Sequence, residues 1–452
     1  MNTPQPLNTI GVAVPLAPLA NKVAASKVNR YKMREESGRI IGGRNRVKSC
    51  GHSPVSKTGI DIVKNKEGKI SYRGLQSCGN VWACPECARK ISMKRRDEIQ
   101  RIIYEFLGNK EVSIGFLTLT RSHKITDKFK PLTKSVTGTW REILQTREYR
   151  KLAGKYKHLG DIRNLEIKVN RLNGWHPHLH ILVFAQCNNE QLIEFGNELI
   201  RMWLGEHGKN AGEIGQSFTP IYDEEGITDY MSKIMDFADT DVVDKKYKVA
   251  DEMTMSHLKT NNKVEYETYT PFDLLNDLDD YWKYKKYKAY VYGIKGTRQL
   301  TFSKQVRAVH KRLNGDKTDE QLAKEEDKGE IKMKIDKDVW REIAYKSLQA
   351  HVLNKMQYEG IRELILFLCK YDIYTDYHES TKRLTILGKE GAFRLGSPPG
   401  IFKPQKDIFY MKYSKRRTLR GVLNVHCQPT HIRFHGDAKW EKLDSSFFAH
   451  LK

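Results

Sequence analysis

The most informative segment of this chain reads Asn164-Leu-Glu-Ile-Lys-Val-Asn-Arg-Leu-Asn-Gly-Trp-His-Pro-His-Leu-His-Ile-Leu-Val-Phe184. Two runs of alternating apolar residues flank Asn173-Gly174, a dipeptide typical of the turn in a β-hairpin. The apolar residues at odd positions should share the buried face of a sheet. The even positions are polar and include Glu166, His178 and His180. The segment therefore predicts a hairpin whose polar face holds a carboxylate and two imidazoles.

The length of the hairpin loop determines which polar residues face each other. A two-residue loop at Asn173-Gly174 would pair even positions with odd ones and place half of the apolar residues on the wrong face. A three-residue loop from Leu172 to Gly174, with Gly174 in the left-handed conformation, keeps one face apolar. In that register we expect Glu166 to face His180 directly, with paired Cβ atoms about 5 Å apart.

This polar face has the composition of a metal site. Two histidines two residues apart on a strand project to the same side, and a facing carboxylate completes three ligands for a divalent ion. Such a site keeps coordination positions open for Lewis-acid chemistry. The alternative is that His178 and His180 are surface histidines on the solvated face of an amphipathic strand. The carboxylate of Glu166 and the neighbouring His176 favour the metal site.

The histidine segment also resembles a known motif. Trp175-His-Pro-His-Leu-His-Ile-Leu-Val183 is similar to the histidine-hydrophobic-histidine motif of the HUH endonucleases, most closely to that of the replication initiators of bacterial rolling-circle plasmids. The resemblance implies that His178 and His180 hold Mg²⁺ or Mn²⁺, with Glu166 as the third ligand. It implies an α+β fold with a central antiparallel β-sheet of the ferredoxin- or RRM-like HUH kind and flanking helices. An N-terminal zinc-binding module and a helical C-terminal region would complete the chain.

The bulk composition indicates a nucleic-acid-binding protein of two to three domains. Lysine and arginine number 79 against 55 acidic residues, a net charge of +24, and the sequence pI is about 9.5. Such a surplus points first to a polyanionic partner, most commonly nucleic acid. No apolar run reaches the roughly 20 residues that span a membrane. The stretch from residue 10 to 20 lacks a preceding basic residue and contains two prolines, unlike a signal peptide. We expect a cytoplasmic protein that binds DNA and no membrane.

Four of the seven cysteines lie between residues 50 and 87. Cys84-Pro-Glu-Cys87 is a Cys-x-x-Cys knuckle, which is a strong zinc signal only when a second pair exists. Cys50 and Cys78 are the expected second pair, with His52 as a substitute for Cys50. Thiolate ligation of a structural Zn²⁺ would hold together a region too polar to pack unaided. Four unconnected thiols are the alternative. Rolling-circle initiators have similar cysteines upstream of their catalytic motifs.

A tyrosine motif, Tyr230-Met-Ser-Lys233, follows the histidines by about fifty residues on a predicted helix. It resembles the third motif of the initiators, whose tyrosine nicks one DNA strand and becomes 5′-phosphotyrosyl-linked. The resemblance implies that Tyr230 is the nucleophile and that Lys233 assists it. A phenol attacks phosphorus only as phenolate, and its ordinary pKa is about 10, so a nearby ammonium is useful. A tyrosine on a helix surface is the alternative.

Termination chemistry in some plasmid initiators uses a glutamate one helical turn before the tyrosine. That position is Gly226 here, so Glu225 is the candidate for this role, and a second tyrosine, Tyr222, lies nearby. The sequence does not decide between them.

Further segments frame these motifs. Residues 114–120 alternate like a strand and resemble the first motif of the family, a strand beside the metal hairpin, in which Thr118 and Thr120 are assigned no chemistry. Apolar spacing predicts a helix after Cys87, with basic residues at its start that face phosphates or merely solvent. Another helix is predicted over residues 188–204. Residues 293–304 resemble the segment that closes the catalytic domain, and either form a tight turn or contact DNA phosphates through three basic residues: Lys295, Arg298 and Lys304.

These observations divide the chain into five parts. We expect a flexible basic arm over residues 1–45, a cysteine module and basic helix over 46–112, a nickase catalytic domain over 113–312, a charged linker over 313–338, and a helical region of unknown role over 339–452. The arm contacts DNA or has no role.

The implied function is initiation of rolling-circle replication at a plasmid or phage-like origin. The protein would bind the duplex origin and nick and rejoin a single strand, with host helicase and polymerase as further partners. The rivals are a relaxase or transposase with the same chemistry, a non-catalytic DNA-binding regulator, and a metal-dependent hydrolase that uses water directly.

Overall fold

A computed structural model describes residues 16–207, 212, 215–221, 253–254, 268–326, 328–387, 431–433 and 440–442. The helices described are α1 (Leu16–Ile41), α2 (Arg46–Ser49), α3 (Pro85–Leu107), α4 (Phe129–Ile143), α5 (Arg147–Lys155), α6 (Asn189–His207), α7 (Tyr281–Gly293), α8 (Lys304–Asn314), α9 (Asp319–Lys324), α10 (Lys337–Tyr345), α11 (Gln349–Tyr358) and α12 (Ile361–Lys370). In this part of the chain, none of the helices is both long and apolar enough to cross a membrane.

The strands described are β1 (Gly59–Lys64), β2 (Ile70–Arg73), β3 (Ser113–Thr120), β4 (His158–Asn170), β5 (Gly174–Ala185), β6 (Ser217–Ile221), β7 (Thr268–Tyr269), β8 (Leu300–Phe302), β9 (Glu330–Asp336), β10 (Thr375–His378), β11 (Arg383–Ile386), β12 (His431–Arg433) and β13 (Trp440–Lys442). The chain forms two compact units. The first comprises residues 1–53 and 76–325, and the second comprises 54–75 and 326–452.

The first unit is built on a six-stranded sheet in the order β6-β3-β5-β4-β7, with β8 also paired to β4. All of these pairings are antiparallel. The odd-numbered apolar residues of β4 and β5 are buried in one core together with residues of α4, α6 and α7. The predicted class, helices packed on an antiparallel-rich sheet, is therefore found. The predicted strand over 114–120 and the helix over 188–204 correspond to β3 and α6.

Only part of the opposite face of this sheet is polar. Near one end of the strands, Ile162, Leu182 and Phe184 join a second core with residues of α3 and α8. The polar residues Glu166, His178 and His180 therefore occupy the remaining part of that face, beside a packed apolar layer.

The register of the β4–β5 hairpin differs from the predicted one by two residues. Glu166 is paired with His178, not His180. The loop comprises residues 171–173 because the side chain of Asn170 accepts hydrogen bonds from the backbone N–H groups of Leu172 and Asn173, at 2.7 and 3.1 Å, and closes the turn. Gly174 has φ +82°, the predicted left-handed conformation. A slip of two residues leaves every side chain on its predicted face.

Residues 16–41, predicted as part of a flexible arm, form helix α1. Ser37 anchors it, since its hydroxyl lies 2.6 Å from Ala83 O and 2.6 Å from the Tyr287 hydroxyl. Arg34 is only 1% exposed. The buried side of α1 thus contains polar residues, which is why no apolar stripe in the sequence indicated a helix.

Two of the basic residues that precede the apolar stripe of α3, Lys94 and Arg95, form ion pairs. The Arg95 guanidinium donates to Glu98 at 2.7 Å and to Asp319 at 2.8 Å. Lys94 Nζ lies 2.5 Å from a carboxylate oxygen of Glu325. These ion pairs join α3 to α9 and the residues after it, so these two side chains are committed to acidic partners rather than to phosphates.

The second unit contains a five-stranded sheet in the order β10-β11-β9-β1-β2, with α10, α11 and α12 packed in its core. Three predicted boundaries are corrected by this arrangement. The cysteine module is interrupted, because β1 pairs with both β2 and β9, and all three strands belong to the second unit. The supposed linker contains α9 and β9, and the supposed helical region also contains strands. The alternating charges of 313–338 concealed the apolar positions Met333 and Ile335, which are buried.

Candidate metal centres

The hairpin brings a carboxylate and two imidazoles together on the polar face of the sheet. Glu166 lies on β4, and His178 and His180 lie on the adjacent β5. Glu166 Oε2 lies 2.8 Å from His180 Nε2 and also contacts His178 Nε2. All three residues are buried, and their ligand atoms lie within 4.8 Å of one another. The group could hold a metal ion.

The electrostatics keep these side chains in the forms that bind metals. Burial alone would raise the pKa of Glu166, but His178 and the ammonium of Lys168, 3.2 Å from its Oε1, hold that pKa well below its usual value. Burial lowers the pKa of His178, although Glu166 opposes the shift. Glu166 is therefore an anion and His178 a neutral imidazole at neutral pH, which is what metal coordination requires.

Strand β3 supports the histidines from the other side. Thr118 is paired with His180 across the β3–β5 ladder, and its hydroxyl lies 3.3 Å from His180 Nδ1. The Phe116 ring stacks on the His180 ring with centroids 5.3 Å apart. The sequence argument gave Thr118 no chemistry, yet the even-numbered phase of β3 places it on the metal face. If Nε2 binds a metal ion, Nδ1 bears the proton and donates it to Thr118.

His176, which the sequence favoured as a neighbour of the site, does not belong to the converging group. Its ring packs against His123, with centroids 4.7 Å apart, and against His178 at 5.3 Å. Burial, followed by the neighbouring His178 and His123, lowers the pKa of His176 to about 3. It is therefore a neutral side chain that packs beside the converging group.

Two imidazoles and one carboxylate fit a divalent metal ion. They come from two adjacent strands of a single hairpin, which leaves the remaining coordination positions to water or a substrate. The close approach of both Nε2 atoms and one carboxylate oxygen supports this interpretation, because a single ion placed among the three atoms could contact all of them.

The second cluster contains the four predicted cysteines. The Sγ atoms of Cys50 and Cys87 lie 3.4 Å apart, those of Cys78 and Cys87 3.6 Å, and those of Cys84 and Cys50 3.6 Å. A tetrahedron with 2.3 Å metal–sulfur bonds has sulfur–sulfur edges of about 3.8 Å. All four cysteines are buried and none forms a disulfide. The cluster includes Cys50 and not His52, and it could hold a metal ion.

Local structure explains how the cysteines meet. Cys50 is the C-cap of α2, and Cys84 and Cys87 are the N-cap and the first turn of α3. Cys78 lies in the loop that leads from β2 to α3, where its backbone N–H donates to Cys50 Sγ at 3.4 Å. The cluster thus joins the ends of two helices and one loop.

The proposed nucleophile and its neighbours, Tyr222, Glu225, Tyr230 and Lys233, lie outside the described residues. The three candidate DNA contacts are described. Lys295 and Arg298 are exposed in the turn between α7 and β8, where Gly296 has φ +82°, and Lys304 is exposed at the start of α8. Their contact with DNA stays a prediction.

Comparison with known proteins places the histidine hairpin in a family context. Residues 73–194 match a family model described as replication protein. A protein named protein rep from Streptomyces lividans is 24% identical over 360 residues, covering 64% of this chain and 77% of its own length. A protein rep from Lentilactobacillus hilgardii is 23% identical over 305 residues, covering 67% of this chain and 84% of its own.

A neomycin resistance protein from Streptomyces cyanogenus is 24% identical over 157 residues, 29% of this chain and 36% of its own length. No solved structure is significantly similar to this chain. The family match includes Glu166, His178, His180 and three of the four clustered cysteines, and it ends before the tyrosine motif.

Proposed function

We propose that this chain nicks and rejoins one strand of DNA at a replication origin by HUH-type chemistry, as its resemblance to the replication initiators of rolling-circle plasmids and its match to a replication-protein family support. The observation that carries the proposal is the convergence of His178 Nε2 and His180 Nε2 on Glu166 Oε2 within the replication-protein domain. A regulator that only binds DNA would have no need of this buried, metal-competent group.

Glu166, His178 and His180 would hold Mg²⁺ or Mn²⁺, which when bound supplies Lewis-acid polarisation of the scissile phosphate. Thr118 fixes the ring of His180, and Lys168 adds an ammonium on the same face of the sheet. The neutral His178 and the anionic Glu166 bind a cation without first losing a proton. The site is therefore prepared for a metal ion before substrate arrives.

Tyr230 is the proposed nucleophile, with Lys233 stabilising its phenolate. The phenol gives up its proton to solvent, its oxygen forms a bond to phosphorus, and the bond from phosphorus to the 3′ oxygen breaks. The 3′ oxygen takes up a proton from solvent to become a free 3′-hydroxyl. The 5′ end remains as a phosphotyrosyl ester, whose energy allows the same site to rejoin strands without ATP. The free 3′-hydroxyl would serve a host polymerase, and Glu225 or Tyr222 would take part in termination.

The cysteine cluster is proposed to hold a structural Zn²⁺. Four thiolates in a closed, buried arrangement leave no position for a substrate, which is the mark of a structural site. The flanking helices then depend on the ion for their mutual position.

The test is incubation of the purified protein with single-stranded oligonucleotides tiled across its own replicon, with Mn²⁺ and with a chelator. We expect a covalent protein–DNA adduct in Mn²⁺ that maps to Tyr230 and disappears in Tyr230→Phe. Tyr222→Phe is the matched control for the initial nick and should still form the adduct. Glu166→Gln should lose both Mn²⁺ binding and the adduct.

Other results would favour the rivals. Cleavage without any adduct, retained in Tyr230→Phe, would identify a hydrolase that uses water directly. Binding to the origin without cleavage in any metal would identify a regulator and overturn the proposal.

A further inference from the structure

Helix α7 has a composition suited to nucleic acid. Its sequence, Tyr281-Trp-Lys-Tyr-Lys-Lys-Tyr-Lys-Ala-Tyr-Val-Tyr-Gly293, contains six aromatic residues and four lysines, and no acidic residue. Alternating aromatic rings and cations are the elements of a surface that stacks bases and neutralises phosphates.

The two faces of α7 have different roles. On the inner face, Tyr287 and Tyr290 are buried, and the Tyr290 hydroxyl donates to Trp82 O at 3.0 Å. These tyrosines hold the helix in place. Helical spacing places five other residues on the opposite side, and we call them the α7 stripe: Tyr281, Tyr284, Lys285, Lys288 and Tyr292.

The α7 stripe presents aromatic rings together with ammonium groups. Tyr281 is 66% exposed. The rings of Tyr281 and Tyr284 are nearly parallel, with 17° between their planes and 6.5 Å between centroids. Lys285 Nζ lies 4.5 Å from the centroid of the Tyr281 ring, and Lys288 Nζ lies 5.9 Å from that of Tyr284. Each ring thus has a cation beside it.

Acidic residues precede α7, but two of them are engaged elsewhere. Asp280 caps the helix by accepting from the Trp282 and Lys283 N–H groups, and it pairs with Arg171. Asp277 lies 3.2 Å from Lys283 Nζ. These pairs compensate charge at the start of the helix, while the lysines of the stripe project from a helix without acids.

We propose that the α7 stripe binds single-stranded DNA, with bases stacked on Tyr281 and Tyr284 and phosphates beside Lys285 and Lys288. The exposed ring of Tyr281 and the nearly parallel, partly buried ring of Tyr284 favour unpaired bases, because the faces of bases within a duplex are already stacked. An acidic peptide would be attracted to the lysines and would have no use for the rings. The inference deepens the proposed function, since it names the surface that receives the exposed origin strand.

The stripe is separate from the metal centre. The inner face of α7 packs through Tyr290 on Trp175, whose odd position places it on the opposite face of β5 from His178. Changes at the stripe therefore leave the metal ligands in place, and DNA binding can be measured independently of cleavage.

The experiment measures binding of the full-length protein to fluorescein-labelled oligodeoxythymidine by anisotropy, in a chelator so that no cleavage occurs. Tyr281→Ala/Tyr284→Ala should weaken binding about tenfold or more, since each stacked base is worth 1–3 kcal/mol by this criterion. Tyr281→Phe/Tyr284→Phe keeps the rings and should bind like the wild type. Lys285→Gln/Lys288→Gln should weaken binding and reduce its salt dependence.

Two variants elsewhere serve as controls, Tyr345→Ala, an 82% exposed tyrosine, and Lys151→Gln, an exposed lysine of α5. Both should bind like the wild type. Far-ultraviolet circular dichroism should show that all variants fold.

Unchanged affinity for oligodeoxythymidine in the alanine pair would overturn the proposal. So would a loss of affinity for a labelled DNA duplex, measured in the same way, as large as the loss for the single strand. A loss of affinity in the lysine pair alone would also overturn it, because that result would indicate electrostatic attraction without stacking. The Mn²⁺-dependent adduct is assayed in parallel with origin oligonucleotides. An adduct with unchanged oligodeoxythymidine binding in the alanine pair refutes the stripe and leaves the nickase standing. Weaker oligodeoxythymidine binding in the alanine pair, with no adduct in any protein, supports the stripe and refutes the nickase.

Discussion

At the scale of single residues, Thr118 is the clearest test of how the site is built. Its hydroxyl lies 3.3 Å from His180 Nδ1. We expect Thr118→Val to weaken Mn²⁺ binding roughly tenfold or more, because the partner of a metal-binding histidine fixes its tautomer and orientation. Isothermal titration calorimetry with the full-length protein measures this. Thr118→Ser keeps the hydroxyl and should retain the affinity, and an equal affinity in Thr118→Val would show that the contact is incidental.

A second pair of residues, His158 and Asp161, should have opposing effects on stability. Burial lowers the pKa of His158 from 6.5 to about 4, and burial raises the pKa of Asp161 from 3.8 to about 6 despite Arg163. The unfolded chain binds a proton at His158 more readily than the folded chain does. The contribution of His158 to the free energy of unfolding is therefore full above pH 6.5 and is lost as pH falls towards 4. That of Asp161 is present below pH 3.8 and is lost as pH rises towards 6. Each is worth roughly 3 kcal/mol.

The two contributions nearly cancel between pH 4 and 6, so the wild type should show little slope from this pair. His158→Phe removes the first group, and its free energy of unfolding, relative to wild type, should fall as pH rises from 4 to 6. Asp161→Asn should show the opposite slope. Urea unfolding at several pH values measures both. Parallel curves for wild type and both variants would mean that neither group has a shifted pKa.

At the scale of elements, the hairpin shows what a sequence can and cannot determine. Alternation over β4 and β5 determined which residues face the metal side, because side-chain direction has a period of two. It could not fix the register, which depended on hydrogen bonds from Leu172 and Asn173 N–H groups to the Asn170 side chain. Long-range partners were likewise unreadable: α1 is held by buried polar groups, and Thr118 reaches His180 only through strand pairing.

The cysteine cluster, which spacing did predict as a group, gives a prediction for the elements that it joins. Cys87→Ser should lower the zinc content of the purified protein and its thermal midpoint, because the ends of α2 and α3 then lose their shared ion. Elemental analysis and thermal unfolding with and without chelator measure this. Cys187→Ser, outside the cluster, is the matched control and should retain both. A metal-free wild type whose midpoint does not respond to chelator would rule out a structural ion.

At the scale of the whole molecule, residues 54–75 of the second unit are inserted into the sequence of the first unit. The composition of the chain did not indicate this insertion. Residues 54–75 leave the first unit and return to it at the same place. Gln76 N–H donates to Ser53 O at 2.9 Å, and Gly51 N–H donates to Gln76 O at 2.8 Å. The first unit is thus continuous on either side of residues 54–75, whereas β1, within that segment, forms one of its two ladders with β9.

This organisation predicts the outcome of two truncations after Glu325. Simple truncation removes β9, leaves one edge of β1 unpaired and exposes Ile60 and Ile62, so the product should aggregate. Replacing residues 54–75 by a short glycine-serine linker in the same truncated chain should restore a monodisperse protein that still binds Mn²⁺ and zinc, since Ser53 and Gln76 are already adjacent. Size-exclusion chromatography with light scattering and metal analysis distinguishes the two. If both products were equally monodisperse, residues 54–75 would not depend on β9.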